Sequence, residues 1–199
     1  MNKGIGSLFG KIIEEECTVN AAASEKDGRI VVAALGALRN FAVPRFSKDP
    51  LVESGVLRIV SNAIPVAGKK NLQVMFDGVV LLLSLIRGSP RRARMLVSIP
   101  NVLNTIMTVA RGESFAGDDS IVSAVGPSGE KDFRVQYEAG RLAAELCSIP
   151  EVIQSLWDLG MKDSLKLLLS SKFDILKNEA RTAISYIRQA GIDVPEDLK

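Results

Sequence analysis

The chain has 199 residues, of which 47% are hydrophobic, so it is long and apolar enough to bury the core of one compact domain or a short solenoid. Its 25 basic and 23 acidic side chains give a net charge of +2, which provides no whole-molecule field to attract nucleic acid or an anionic membrane. Histidine is absent, which removes the commonest neutral-pH general base and the commonest metal ligand together.

The cysteines and the apolar runs predict the cellular compartment of the protein. Cys17 and Cys147 form no CxxC motif and no secretory signal precedes them, which favours reduced thiols. The longest apolar run, Val79 to Ile86, is far shorter than a membrane span and ends at Arg87. We therefore expect a cytoplasmic protein without direct membrane insertion.

The first periodic segment, GIGSLFGKIIEEE, resembles the second helix of a repeat that lacks its first helix. Its glycines, Gly4 to Gly10, superficially resemble a phosphate-binding loop, but no strand precedes them and no Lys-Ser/Thr follows. A flexible helix start explains them better. Ile5, Leu8 and Phe9 would then be exposed, and they predict another repeat, a partner or weak self-association of the monomer.

A repeated pattern follows in chain order. Four segments, ALRNFA, LLSLIR, LAAELC and AISYIR, place an equivalent apolar or small residue at Leu38, Leu83, Ala143 and Ile184. The first two intervals between these residues equal the intervals between three predicted helix breaks, which are Gly55, Pro100 and Gly160. The agreement of both series indicates one repeating unit.

The clearest unit predicts three helices at about Pro50 to Ser54, Val56 to Ile64 and Asn71 to Arg87, with apolar residues at helical rather than alternating spacing. Helical repeats of this length are typical of armadillo and HEAT proteins. We predict an all-α, right-handed superhelical solenoid of about four repeats in a single domain, 1–199. The predicted units are 1–43, 44–88, 89–148 and 149–191, with a tail at 192–199.

The interval from Leu83 to Ala143 is longer than the others and implies an insertion, which we place at Gly112 to Asp132. This segment is rich in glycine and acidic residues and lacks helical periodicity, so it predicts a mobile acidic loop. Its acidic residues lack the spacing of a calcium loop, so we expect neither a metal nor another cofactor; they include Asp118, Asp119 and Glu130.

The only tryptophan, Trp157, lies one turn before the predicted break at Gly160. A large aromatic side chain at this position is most simply explained by packing. We therefore expect Trp157 to lie on the packed face of a first helix.

Asn40 raises the first question of binding. Peptide-binding armadillo proteins of the importin-alpha type carry such an asparagine with a tryptophan four residues earlier, repeated from unit to unit. Here Gly36 holds the tryptophan position, and the later asparagine positions are Leu85, Glu145 and Tyr186. Asn40 therefore either satisfies hydrogen bonds at a helix end or between repeats, or contacts a partner directly.

Acidic residues of the predicted third helices provide a second candidate site. Glu138, Glu145 and Glu179 would suit a basic partner segment. The alternative is that these glutamates are solvated and that Arg141 pairs locally with Glu138 or Glu145.

The segment RGSPRRARM provides a third candidate site, because it clusters four arginines at a helix break, namely Arg87, Arg91, Arg92 and Arg94. The cluster is a solvated junction, a site for an acidic protein, or a site for phosphate or nucleic acid. Missing aromatic residues disfavour single-stranded nucleic acid, and we expect a protein partner.

The string AALGALRNFAVP, followed by SK and then SGV, resembles the armadillo-type GDP-dissociation stimulators of small GTPases, the SmgGDS family. The resemblance is strongest from Val31 to Leu57 and looser from Tyr137 to Ile187. It implies an all-helical solenoid that binds small GTPases with basic, often prenylated tails, and that stimulates GDP release or acts as a chaperone without a catalytic residue. The alternative is a general armadillo scaffold or co-chaperone for Hsp70-like or myosin-like clients.

Overall fold

The computed structural model describes residues 3–19, 28–67, 71–113 and 133–198. Within these ranges the chain forms helices and no strand. The α-helices are α1 Lys3–Val19, α2 Gly28–Phe41, α3 Lys48–Glu53, α4 Val56–Ala67, α5 Leu72–Ile86, α6 Pro90–Val97, α7 Val102–Arg111, α8 Arg134–Leu146, α9 Pro150–Asp158, α10 Met161–Leu169 and α11 Asp174–Gln189. Apart from residues 112 and 113, the predicted acidic insertion lies outside the described residues.

The helices repeat in groups of three, α3 to α5, α6 to α8 and α9 to α11, and α1 and α2 supply the second and third helices of an incomplete first group. The third helices α2, α5, α8 and α11 pack side by side in sequence, and each also packs against a second helix, α1, α4, α7 or α10. This is an armadillo-type α-solenoid, which confirms the predicted fold class.

Each complete group turns between its first and second helices at a residue with left-handed backbone conformation. These residues are Gly55 (φ 87°), Asn101 (φ 62°) and Gly160 (φ 94°). Glycine takes this conformation without steric cost, and asparagine tolerates it better than most other residues. The middle break therefore falls at Asn101, one residue after the predicted Pro100.

The repeated apolar positions form the core between neighbouring third helices. The aligned residues are all buried; they are Leu38, Leu83, Ala143 and Ile184. Gly78 allows α5 to approach α4 closely, because a Cβ atom there would lie 2.8 Å from Cγ1 of Ile64. Since no repeat can bury its apolar face alone, this stacking supplies the core of the solenoid.

The predicted alignment of α5 with the other third helices is wrong by one residue, which shows on the exposed side. Leu85, the predicted counterpart of Asn40, is completely buried, whereas the preceding Ser84 is partly exposed. One residue rotates a position by about 100° around a helix, so a small difference in helix start changes which side chain faces solvent.

The apolar surfaces of the first and the last described helices are covered to different extents. After α11 the chain folds back so that Val194 and Leu198 are buried, and Asp197 accepts a charge-assisted contact of 2.5 Å from Lys166 on α10. At the other end Leu8 is 58% exposed, as predicted, while Ile5 and Phe9 are only half-buried.

Trp157 on α9 is half-buried and packs against the core, in agreement with the prediction. Among the described residues no single helix is long and apolar enough to span a membrane, although Arg29–Phe41 and Arg45–Glu53, bent by 118°, together meet the length and composition required.

Candidate binding face on the third helices

The partly exposed sides of α2, α5, α8 and α11 form what we call the third-helix face. On α8, Glu138, Arg141 and Glu145 share this face because they are separated by three and four positions along the helix. On α11, Glu179 occupies the position that corresponds to Glu138 in the preceding repeat. The structure therefore brings the three predicted glutamates onto neighbouring helices.

Arg141 joins two of these glutamates across the α8–α11 interface. Its Nη1 donates to Oε1 of Glu138 at 2.9 Å, and its Nε and Nη2 donate to the two carboxylate oxygens of Glu179 at 2.7 and 3.1 Å. The hydrogen bonds to Glu179 are the main cause of a raised pKa for the Arg141 guanidinium. The predicted pairing of Arg141 with Glu138 is confirmed, and the bond to Glu179 is an additional contact that depends on the stacking of two repeats.

Arg87, which directly follows α5, extends this network beyond α8 and α11. Its Nη2 contacts Oε1 of Glu179, and its Nε lies 3.8 Å from Oε2 of Glu145. The adjacent Gly88 N–H donates to Oε1 of Glu145 at 3.1 Å. Residues from the predicted basic cluster and the predicted acidic site therefore belong to one network that connects α5, α8 and α11.

The other arginines of the basic cluster do not join this network. Arg92 is buried; its Nε donates to the carbonyl of Leu85 at 2.5 Å and its Nη1 to Asp49 at 2.9 Å. Arg94 lies 3.6 Å from Glu151, and Arg91 is exposed. The four guanidinium groups thus do not converge on one ligand position, because successive residues of a helix point in different directions.

A cavity of about 260 Å³ opens between α8 and α11. Its lining residues are Arg141, Ala144, Glu145, Ser148, Ile175, Asn178, Glu179, Thr182 and Tyr186. Ile175 is 60% exposed and Tyr186 37% exposed, so apolar surface lies beside the carboxylates. The volume is below the range of typical small-molecule pockets and suits a side chain of a protein partner better than a cofactor.

Sequence reasoning missed Ile175, Asn178 and Thr182 as members of this site. The alignment that relates Glu179 to Glu138 also relates Thr182 to Arg141 on α8. This alignment could have identified Thr182 and, one helical turn earlier, Asn178. Apolar exposure of Ile175 could not be read from the sequence.

Asn40 lies exposed near the end of α2, and its side chain makes no hydrogen bond to the described part of the chain. The structure therefore does not give its side chain a helix-end role. Among the described residues no group of three or more cysteine, aspartate or glutamate side chains is arranged to hold a metal ion.

No protein-family model and no curated protein matches the chain at a significant level. Two engineered proteins of the Northeast Structural Genomics Consortium, targets OR329 and OR366, superpose over 94% of this chain with TM-scores of 0.64 and 0.65 at 18% and 16% identity. The chain spans 64% of the length of each. A designed armadillo repeat protein matches 91% of this chain and 81% of its own with a TM-score of 0.45 and 16% identity.

At these identities the likeness to the engineered proteins shows the fold alone. The fold and the network together define an armadillo-type scaffold suited to protein binding, a class that is usually non-catalytic. The resemblance to the GDP-dissociation stimulators stays a prediction.

Proposed function

We propose that this chain is a protein-binding module that regulates a small GTPase through contacts alone, with part of the partner held on the third-helix face. The observation that carries the proposal is the cavity between α8 and α11, where charged, polar and apolar side chains are presented together on stacked helices. The resemblance of Val31 to Leu57 to the GDP-dissociation stimulators supports a GTPase as the partner.

Such a module needs no catalytic residue. A protein that accelerates GDP release by contact must bind the nucleotide-free or open state of the GTPase more tightly than the GDP-bound state. Only this difference in affinity shifts the equilibrium, and tight binding to both states would change nothing. The basic tail expected of such a GTPase would add electrostatic attraction to the glutamates of the face.

The test is release of a fluorescent GDP analogue from a panel of small GTPases while the purified chain is titrated in. Each GTPase is used with its basic tail and with the tail removed. We expect faster release from members that carry the tail. The Glu145→Lys variant should reduce the effect, while Glu151→Lys, which places the same charge change on exposed Glu151 of α9, should not.

Absence of both acceleration and binding across the panel would refute the GTPase proposal and leave the armadillo scaffold. Nucleotide-independent binding of an Hsp70-like or myosin-like client, measured directly with the purified chain, would then identify the alternative class of partner.

A further inference from the structure

The carboxylates of the cavity already hold a cation that comes from the chain itself. The guanidinium of Arg87 leaves the α5–α6 junction and reaches Glu179 on α11 and the neighbourhood of Glu145 on α8. It crosses α8, the helix that lies between α5 and α11 in the stack. A positively charged group of a side chain is therefore compatible with this position.

The two arginines of the network are held unequally. Arg141 has a side chain only 16% exposed and donates four hydrogen bonds within 3.1 Å to Glu138 and Glu179. The Arg87 side chain is 42% exposed; its Nη2 donates one hydrogen bond to Glu179, and its Nε lies 3.8 Å from Glu145, which is beyond a hydrogen bond. Because exposed ion pairs contribute little to stability, Arg87, with fewer and more exposed contacts, is the easier of the two arginines to displace.

The charges favour a cation as the occupant. Glu138, Glu145 and Glu179 carry three negative charges against the two positive charges of Arg87 and Arg141, which leaves one net negative charge. Displacement of Arg87 leaves two. The same cavity also offers apolar surface of Ile175 and Tyr186, against which the methylene groups of a long basic side chain can pack.

We propose that this cavity binds a lysine or arginine side chain of the partner and that Arg87 is an internal competitor for Glu145 and Glu179. The proposal rests on the proposed function only in taking the third-helix face as the contact surface. Arg87 occupies part of the carboxylate surface formed by Glu145 and Glu179, and a cationic side chain of the partner takes its place.

The test uses short fluorescent peptides with lysines in an alanine-glycine background, and matched peptides with glutamine or glutamate at the lysine positions. Their affinity for the full chain is measured by fluorescence anisotropy at low ionic strength. We expect Arg87→Gln to bind the lysine peptide about three- to tenfold more tightly than the natural chain, since the competing ion pair is lost. Glu145→Gln should bind it more weakly.

Arg94→Gln and Glu151→Gln are the matched controls, because Arg94 and Glu151 pair with each other on α6 and α9 and the substitutions make the same charge changes. They should leave the affinity unchanged. Circular dichroism melts establish that every variant is folded.

The proposal is overturned if the lysine peptide binds Arg87→Gln no more tightly than it binds the natural chain. It is also overturned if the peptide binds none of the variants. Equal effects of Arg94→Gln and Arg87→Gln overturn it as well, because they would show attraction by net charge alone. The peptide results are independent of GDP release: the expected order of affinities with no GTPase response refutes only the proposed function, and the reverse result refutes only this inference.

Discussion

When α5 is shifted by one residue in the alignment, the same repeat position carries an acidic residue in three successive third helices, but its surroundings differ between the two halves of the face. Asp77 on α5 is 3% exposed and paired with Arg39 of α2 and with Gln73. Its counterparts Glu138 and Glu179, on the next two third helices, border the open α8–α11 half. One repeated acidic residue therefore serves packing in the first half and a candidate site in the second.

The exposed groups around these acids follow the same division. On α2 the positions that correspond to Glu138, Arg141 and Glu145 are Ala33, Gly36 and Asn40, which carry no charge and, apart from Asn40, offer little to bind a side chain. On α8 and α11 long charged and aromatic side chains line a cavity. Repeats thus keep their buried layer and vary their exposed layer, which is where specificity in a scaffold arises.

The largest expected effect tests whether the two halves share one buried layer. Leu38→Ala on α2 and Leu142→Ala on α8 each remove a fully buried side chain, and each should lower the free energy of unfolding by about 2–5 kcal/mol through lost transfer energy and the cavity left behind. Urea unfolding measures this. Leu8→Ala, at a 58% exposed position, is the control and should stay within about 0.5 kcal/mol. An unchanged stability for either buried variant would contradict the shared core.

The next effect tests the structural role of Asp77. Asp77→Ala removes the buried carboxylate that accepts from Arg39 and Gln73, and it should cost about 1–3 kcal/mol, because hydrogen bonds to a charged group are lost. Chemical denaturation in low and high salt is the measurement. A loss that disappears in high salt would place Asp77 with the solvent-exposed charges and remove the contrast between the halves.

A smaller effect is expected for Glu179→Gln, which weakens the contacts from Arg87 and Arg141 at the edge of the cavity. Since this network is partly exposed, the variant should lose at most about 1 kcal/mol of stability, and the loss should shrink as salt is added. Urea unfolding at two salt concentrations measures both. A loss as large as that of Asp77→Ala would show that the second half is also primarily structural.

The smallest effect concerns the tail that covers the last repeat. A hydrogen bond from Lys166 lowers the pKa of Asp197, and the same bond raises the pKa of Lys166. The pair therefore stabilises the fold above the ordinary pKa of aspartate and below that of lysine. Its contribution is lost as pH falls through the lowered pKa of Asp197 or rises through the raised pKa of Lys166.

Thermal unfolding of the natural chain and of Asp197→Asn should thus differ slightly at neutral pH and coincide in strong acid. A difference that persists below the pKa of Asp197 would show that the substitution disturbs the tail by another route.

Much of the fold could be predicted because its determinants are local. Helical spacing of apolar residues and the break at Gly55 depend on neighbours a few positions away, and so does the contact of Glu138 with Arg141. The exposed side of α5 could not be predicted, since an error of one residue in the alignment of repeats exchanged Ser84 for Leu85.

The sequence by itself determined that the chain is helical, repeated and rich in stackable apolar positions, because periodicity and turn residues act over short distances. Only the tertiary structure decided that Arg87 contacts Glu179, a residue far away in the chain, and that Arg92 is buried and donates its hydrogen bonds to Asp49 and the Leu85 carbonyl. Side chains on different repeats approach one another according to how the helices stack. That geometry is the sum of many packing contacts and is encoded at no single position.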